Sequence, residues 1–485
     1  MSQLLSQEHS SRTGSQRRLA AVAAAGRSQL PSVALACSVA FAGTLIVALL
    51  QGEKPFWGDS GGYWSLAGTF TENGHFSLLN FNSPLRGYLL PLINYGLQRL
   101  QADFAWTSSS TVKVFNALVL ALIGTVLGPA LIRIVWPRQP SWRLWQRLAL
   151  TALFVVFWSG YLNFPLSDFP GLAMALLTLV AVSRSDRPGW MLLAGAALGM
   201  CIDIRAAYLL LAPAVAVLVL WAWLEQRGSA HASASRRALC AGLLVLGFAV
   251  VSLPQSLSAH RFYGTWSFVP SAASFEPAGS FFTPGMYNQN RDTYLKPGGA
   301  VAMIYEYPAG RRLLEEQKEH KILSTGQYVG LFFSHPLVMG GLIAGHIIDS
   351  MDPLYSTPYI EHLHNAGRTW GRIASYLLIF IALLRLLWPA ARRRLGPARL
   401  RYLGALAVCV LTTVPSDIER RYFLPLYLIG YALALIPGWP NPLGNAASGL
   451  RRYRTPAIIA VCFLAYTAVV WYFTGEALSH VRFET

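Results

Sequence analysis

Eleven apolar stretches constrain this chain more than any other feature. They lie at about 33–50, 112–135, 148–162, 169–182, 190–203, 206–224, 238–256, 371–388, 401–415, 422–437 and 456–474. About 20 apolar residues in a helix cross the hydrocarbon of a bilayer. The repetition therefore predicts an all-α polytopic membrane protein with about eleven transmembrane helices. Charged residues make up only 13% of the 485 residues, against about 25% in soluble domains. So little charge cannot cover a water-facing surface, which excludes a large soluble enzyme and a disordered or fibrous chain. The five cysteines, Cys37, Cys201, Cys240, Cys409 and Cys462, are scattered without metal-like or disulfide-like spacing.

The polar segment 1–30 carries Arg12, Arg17, Arg18 and Arg27. The apolar run after it reads as a retained first span, because it lacks a small-residue cleavage site. With the N-terminus inside, the inner segments hold 22 Lys/Arg against three acids, and the outer ones 17 against 19. Cytoplasmic loops are the ones enriched in Lys and Arg, so the net charge of +17 records topology and not nucleic-acid binding. Residues 326–348 are apolar enough to span, but counting them would move Arg392, Arg393 and Arg394 outside. They are expected to form an interfacial or re-entrant helix. The scheme is a cytoplasmic tail at 1–30, a membrane core at 31–256 with a first outer loop at 51–111, a large outer loop at 257–370, and C-terminal spans at 371–485.

Outer-side polar residues are few, and they cluster. Loop one opens with Phe56-Trp57-Gly58-Asp59-Ser60-Gly61-Gly62-Tyr63-Trp64 and continues to Asn80-Phe81-Asn82-Ser83-Pro84-Leu85-Arg86. Asp59 is either a base placed to take a proton from a hydroxyl or a solvated helix start. Tyr63 and Arg86 suit carbohydrate or headgroup contact, or interfacial packing. Asp168, in a short turn before Pro170, is either a supporting acid or a simple helix beginning. Arg205 follows Asp203 at another outer turn; it either clamps a phosphate or pairs only with Asp203. The densest cluster is Asp417-Ile418-Glu419-Arg420-Arg421-Tyr422, whose arginine forks suit phosphate oxygens. Charge at membrane depth is costly and usually paired. His362-x-His364 lacks a fixed third ligand, and no Asp-x-Asp motif occurs in the early loops. A divalent cation is therefore not demanded, though it stays open.

Asp59 with Tyr63, Asp168, Arg205 and Glu419-Arg420-Arg421-Tyr422 share one predicted side and one order along the chain. In this the chain resembles integral-membrane glycosyltransferases of the GT-C superfamily, and within them bacterial relatives of the protein mannosyltransferases and lipid A aminoarabinose transferases. The resemblance implies a sugar donor on polyprenyl phosphate, with transfer to a lipid, glycan or protein acceptor at the periplasmic face of a bacterial inner membrane. It implies Asp59 as the catalytic acid, Asp168 as its support, and Arg205, Arg420 and Arg421 at the leaving phosphate. Tyr63, Arg86, Asp417, Glu419 and Tyr422 complete the expected substrate site. Nucleic acid is not an expected partner; membrane lipids are. A lipid-linked sugar flippase, or a polysaccharide ligase or polymerase, would also place arginines at an outer loop. A flippase needs polar residues at mid-membrane and on both sides, whereas here they crowd the outer boundary.

Overall fold

The computed structural model describes residues 31–484 apart from 138–140, 226–232, 270–281, 298, 318–320, 323, 364–367, 388–396, 412 and 437–450. The chain is a largely helical polytopic membrane protein. Among the described residues six helices are long and apolar enough to cross a bilayer: Pro31–Leu50, Ser108–Val135, Ala206–Glu225, Ala234–Tyr263, Thr369–Leu387 and Ile458–Ser479. A seventh crossing is added if the pair Thr325–Ser334 and Pro336–Ser350 counts as one broken span.

The expected eleven spans are thus corrected to six or seven. All the predicted stretches contain helix, but several are short. Leu144–Trp158 and Asp168–Val182 have 15 residues each, Pro188–Ile204 has 17, and Leu424–Ala434 has 11. At 1.5 Å per residue, 11 residues reach only about 17 Å. The physical reason for the overcount is burial. In Asp168–Val182 every side chain but Met174 and Leu177 is buried. Apolarity there reports packing against other helices, and hydropathy does not separate that from contact with lipid.

Close helix packing depends on small residues. Pro188–Ile204 and Ala234–Tyr263 cross where a Cβ on Gly195 would fall on the Leu244 carbonyl oxygen, and one on Gly247 on that of Leu192. Glycines of this kind let two backbones approach within the bilayer.

The large loop departs from an all-α fold. Asn288–Lys296 and Gly299–Glu306 form an antiparallel hairpin. Tyr359–Ile360 joins one edge in parallel, and Val481–Glu484, just beyond the last helix, closes the other edge antiparallel. The C-terminal end of the chain therefore lies with this loop. Thr325–Ser334 and Pro336–Ser350 meet at 112°, with Pro336 opening the second helix, where its missing N–H costs nothing. The bend fits a re-entrant or broken helix and not a straight span.

Segments predicted to share a side do come together. Residues 133–137, 183–186, 218–225 and 401–402 line one cavity at one end of the bundle. The polar motifs of the long loops meet at the other end.

Candidate functional site

Asp59 sits in the first turn of Gly58–Leu66, where a carboxylate is favoured by the helix dipole. Gly58 has φ +45°, which lets the chain turn sharply from extended Trp57 into the helix. The Tyr359 hydroxyl donates to the Trp57 carbonyl (2.6 Å) and accepts from the Ser60 N–H (3.0 Å). At the far end, Asn94 and Gln98 donate to the Tyr63 and Trp64 carbonyls at 3.1 and 2.8 Å. The helix carrying Asp59 is thus tied at both ends.

Arg421 is the hub of the site. Its guanidinium reaches Asp59 at 2.8 Å, Glu419 at 2.7 Å and Asp168 at 3.6 Å. Arg86 holds the other Asp59 oxygen at 2.6 Å and lies 4.2 Å over the Tyr63 ring. Arg205 pairs with buried Asp168 and stacks 4.6 Å over the Tyr422 ring; the Tyr422 hydroxyl donates to Glu419 at 3.3 Å. Arg205 does not turn to Asp203, which instead accepts from the Leu89 N–H at 2.7 Å. A Cβ on Gly171 would lie 3.1 Å from the Tyr208 ring and 3.5 Å from the Arg205 Cβ, so glycine there lets the Arg205 turn close over Asp168. Eight of the predicted site residues, from segments as far apart as 59 and 422, form one network of three carboxylates and three guanidinium groups.

Electrostatics separate the acids. Burial alone would raise the Asp59 carboxyl, but Arg421 and Arg86 outweigh it and hold Asp59 well below the usual carboxylate range. Burial raises Glu419 despite its contact with Arg421. The Asp59 side chain keeps 40% exposure, so the network opens to solvent at this carboxylate.

Two predicted residues lie apart. Arg420 turns away from Arg421 and is only 3% exposed; it pairs with Asp292, reaches Asp349 at 3.1 Å, and lies 4.8 Å over the Tyr305 ring. Burial raises Asp292 in spite of Arg420. Asp417 accepts from Arg291 at 2.6 Å and Asn288 at 2.8 Å. Beside the Arg420 cluster, Asp352 binds Arg372 through both carboxylate oxygens and accepts from Thr474 at 2.8 Å. These contacts lock the large loop to two late helices.

Sequence reasoning missed Asp292, Arg372, Tyr305 and Tyr359. Asp349 and Asp352 are acids three apart at the end of an apolar helix, which is itself a signal of pairing. His346 is a structural histidine, with its two ring nitrogens on the Val414 and Asn288 carbonyls. His364 lies outside the described residues, and among the described residues no three His, Cys, Asp or Glu are grouped to hold a metal. Compared with known proteins, the chain matches no family model and no curated sequence.

Proposed function

We propose that this protein is a membrane glycosyltransferase. It moves a sugar from a polyprenyl-phosphate donor to an envelope lipid, glycan or protein at the outer face of a bacterial inner membrane. The observation that carries the reading is the half-exposed Asp59 held between Arg86 and Arg421, among further ion pairs at one end of the helix bundle. The positive-inside charge bias assigns that end to the outer side.

Every arginine of the network is already matched by a carboxylate. A donor phosphate must therefore compete with Asp59 for Arg421 and Arg86. That exchange does two things at once. The arginines acquire the phosphate that will leave, and Asp59 loses the charges that depress its proton affinity. The freed carboxylate is then a competent base. In the transfer step the acceptor hydroxyl oxygen bonds to the anomeric carbon, and its proton passes to Asp59. The bond from the anomeric carbon to the phosphate oxygen breaks, and the electron pair leaves on the phosphate, where Arg421 and Arg86 stabilise it. One displacement inverts the sugar centre. Asp168 holds Arg205 and approaches Arg421, so its part is positioning.

The test supplies membranes containing the protein with radiolabelled polyprenyl-phosphate sugars and identifies products by mass spectrometry. A new glycosidic bond that requires Asp59 is the expected result. Lipid-linked sugar that crosses the bilayer without bond formation sinks the transferase reading in favour of a flippase. A product of many joined repeats points to a polymerase.

A further inference from the structure

A second cavity, of about 340 Å³, lies beside the Asp59 turn, at the small end of the usual range for ligand pockets. Its lining includes Gln51, Ser159, Asn163, Tyr355, Thr357 and Tyr359. Tyr359 belongs to both places. Its ring forms part of the cavity wall, while its hydroxyl bridges the Trp57 carbonyl and the Ser60 N–H. A Cβ on Gly58 would lie 3.8 Å from that ring, so one aromatic side chain separates the cavity from the residue next to Asp59.

The lining mixes aromatic and aliphatic surface with amides and hydroxyls and is balanced in charge. Lys54 and Glu361 close on each other at 2.7 Å, and His362 stands at the exposed edge. Two walls come close because position 160 is glycine: its N–H donates to the Ser356 carbonyl at 2.9 Å, and a Cβ there would collide with Thr357. Asn163 is buried, and its Nδ2 donates to Gln51 at 2.5 Å and to the Gly160 carbonyl at 3.2 Å. Its Oδ1 has no hydrogen-bond partner among the described residues. A buried acceptor left unmatched is costly, and a hydroxyl donor satisfies it. Ring faces, amides and hydroxyls without excess charge suit a pyranose, whose C–H faces stack on aromatics while its hydroxyls bond around the edge. Among the described lining residues the one lysine is already paired with Glu361.

We infer that this cavity binds a neutral saccharide unit, which in the proposed reaction anchors the acceptor beside the Asp59 turn. The acceptor role rests on the transferase reading; saccharide binding does not. The full chain in lipid nanodiscs is tested by saturation-transfer NMR with D-glucose, D-galactose, D-mannose, N-acetylglucosamine and maltose. Inorganic phosphate is the competitor. At least one sugar is expected to bind, and Asn163→Leu, by loss of one hydrogen-bond partner, and Ser356→Phe, by loss of space, each to weaken it about tenfold or more. Ser356→Phe fills the cavity from a half-buried wall and keeps the test decisive if Asn163→Leu fails to fold. No sugar binding, sugar binding unchanged in Ser356→Phe, or displacement of the sugar by phosphate each overturns the inference. Sugar binding without transfer from any donor preserves the saccharide site and defeats the transferase reading. Transfer without sugar binding does the reverse.

Discussion

Arg420 and Arg421 are neighbours in sequence, yet they belong to two different electrostatic regions. Arg421 faces an open network in which Asp59 meets solvent and each charge has an opposite partner. Arg420 faces a closed one, where Asp292 and Asp349 surround it with almost no exposure. In water a carboxylate can change partners at little cost, so an open network can exchange a carboxylate for an incoming anion. A buried pair has no such freedom, because a charge left behind is unsolvated. The contrast separates a region whose charges can change partners from one that fastens the large loop to the helices.

The largest effect that sharpens this contrast is at Asp59. In the proposed reaction Asp59→Asn lowers transfer by about 100- to 10,000-fold, the range of a lost general base, while the protein stays folded, with an apparent Tm in detergent that falls only modestly through loss of the pairs with Arg86 and Arg421. Wild-type turnover in a folded Asp59→Asn protein breaks the assignment.

Arg420→Ala is expected to act the opposite way. It strands Asp292 and Asp349 and costs about 3–5 kcal/mol of stability, read as a large fall in Tm and early proteolysis of the 282–360 loop. An unchanged Tm means the Arg420 cluster is not a structural lock.

Tyr359→Phe comes next. Loss of its hydroxyl costs about 0.5–1.5 kcal/mol and loosens the turn before Asp59, so kcat falls more than stability. Equal activity in the variant removes Tyr359 from the positioning of that turn.

The smallest effect is on pH dependence. Asp59 is held below its unfolded value, so its stabilisation is complete above the unfolded pKa of about 3.9 and declines as pH falls through that value toward the folded one. The Tm difference between wild type and Asp59→Asn is expected to stay constant from about pH 7 to 5, then shrink below about 4. A difference that already shrinks at neutral pH contradicts the ion pairing of Asp59 with Arg86 and Arg421.

Much of this was legible in the sequence because helix formation and hydropathy are local. The stretches 112–135 and 238–256 lie within the helices Ser108–Val135 and Ala234–Tyr263. Polar residues in apolar surroundings also announce themselves, which is how Asp59, Asp168, Arg205 and Arg421 stood out before their contacts were known. The number of crossings was not legible. Asp168–Val182 is as apolar as a lipid-facing helix because protein surrounds it, and composition reads the same in either setting. Tyr359 gave no signal at all, since its role comes from a chain segment about 300 residues away.

By itself, then, the sequence determined a helical membrane protein with a few polar clusters among its apolar stretches, because apolarity and charge act residue by residue. Which of two adjacent arginines meets Asp59 was decided only by tertiary structure. The short 3₁₀ turn at Arg420–Phe423 aims successive side chains in different directions, and the strands and helices packed on either side supply the carboxylates each one finds.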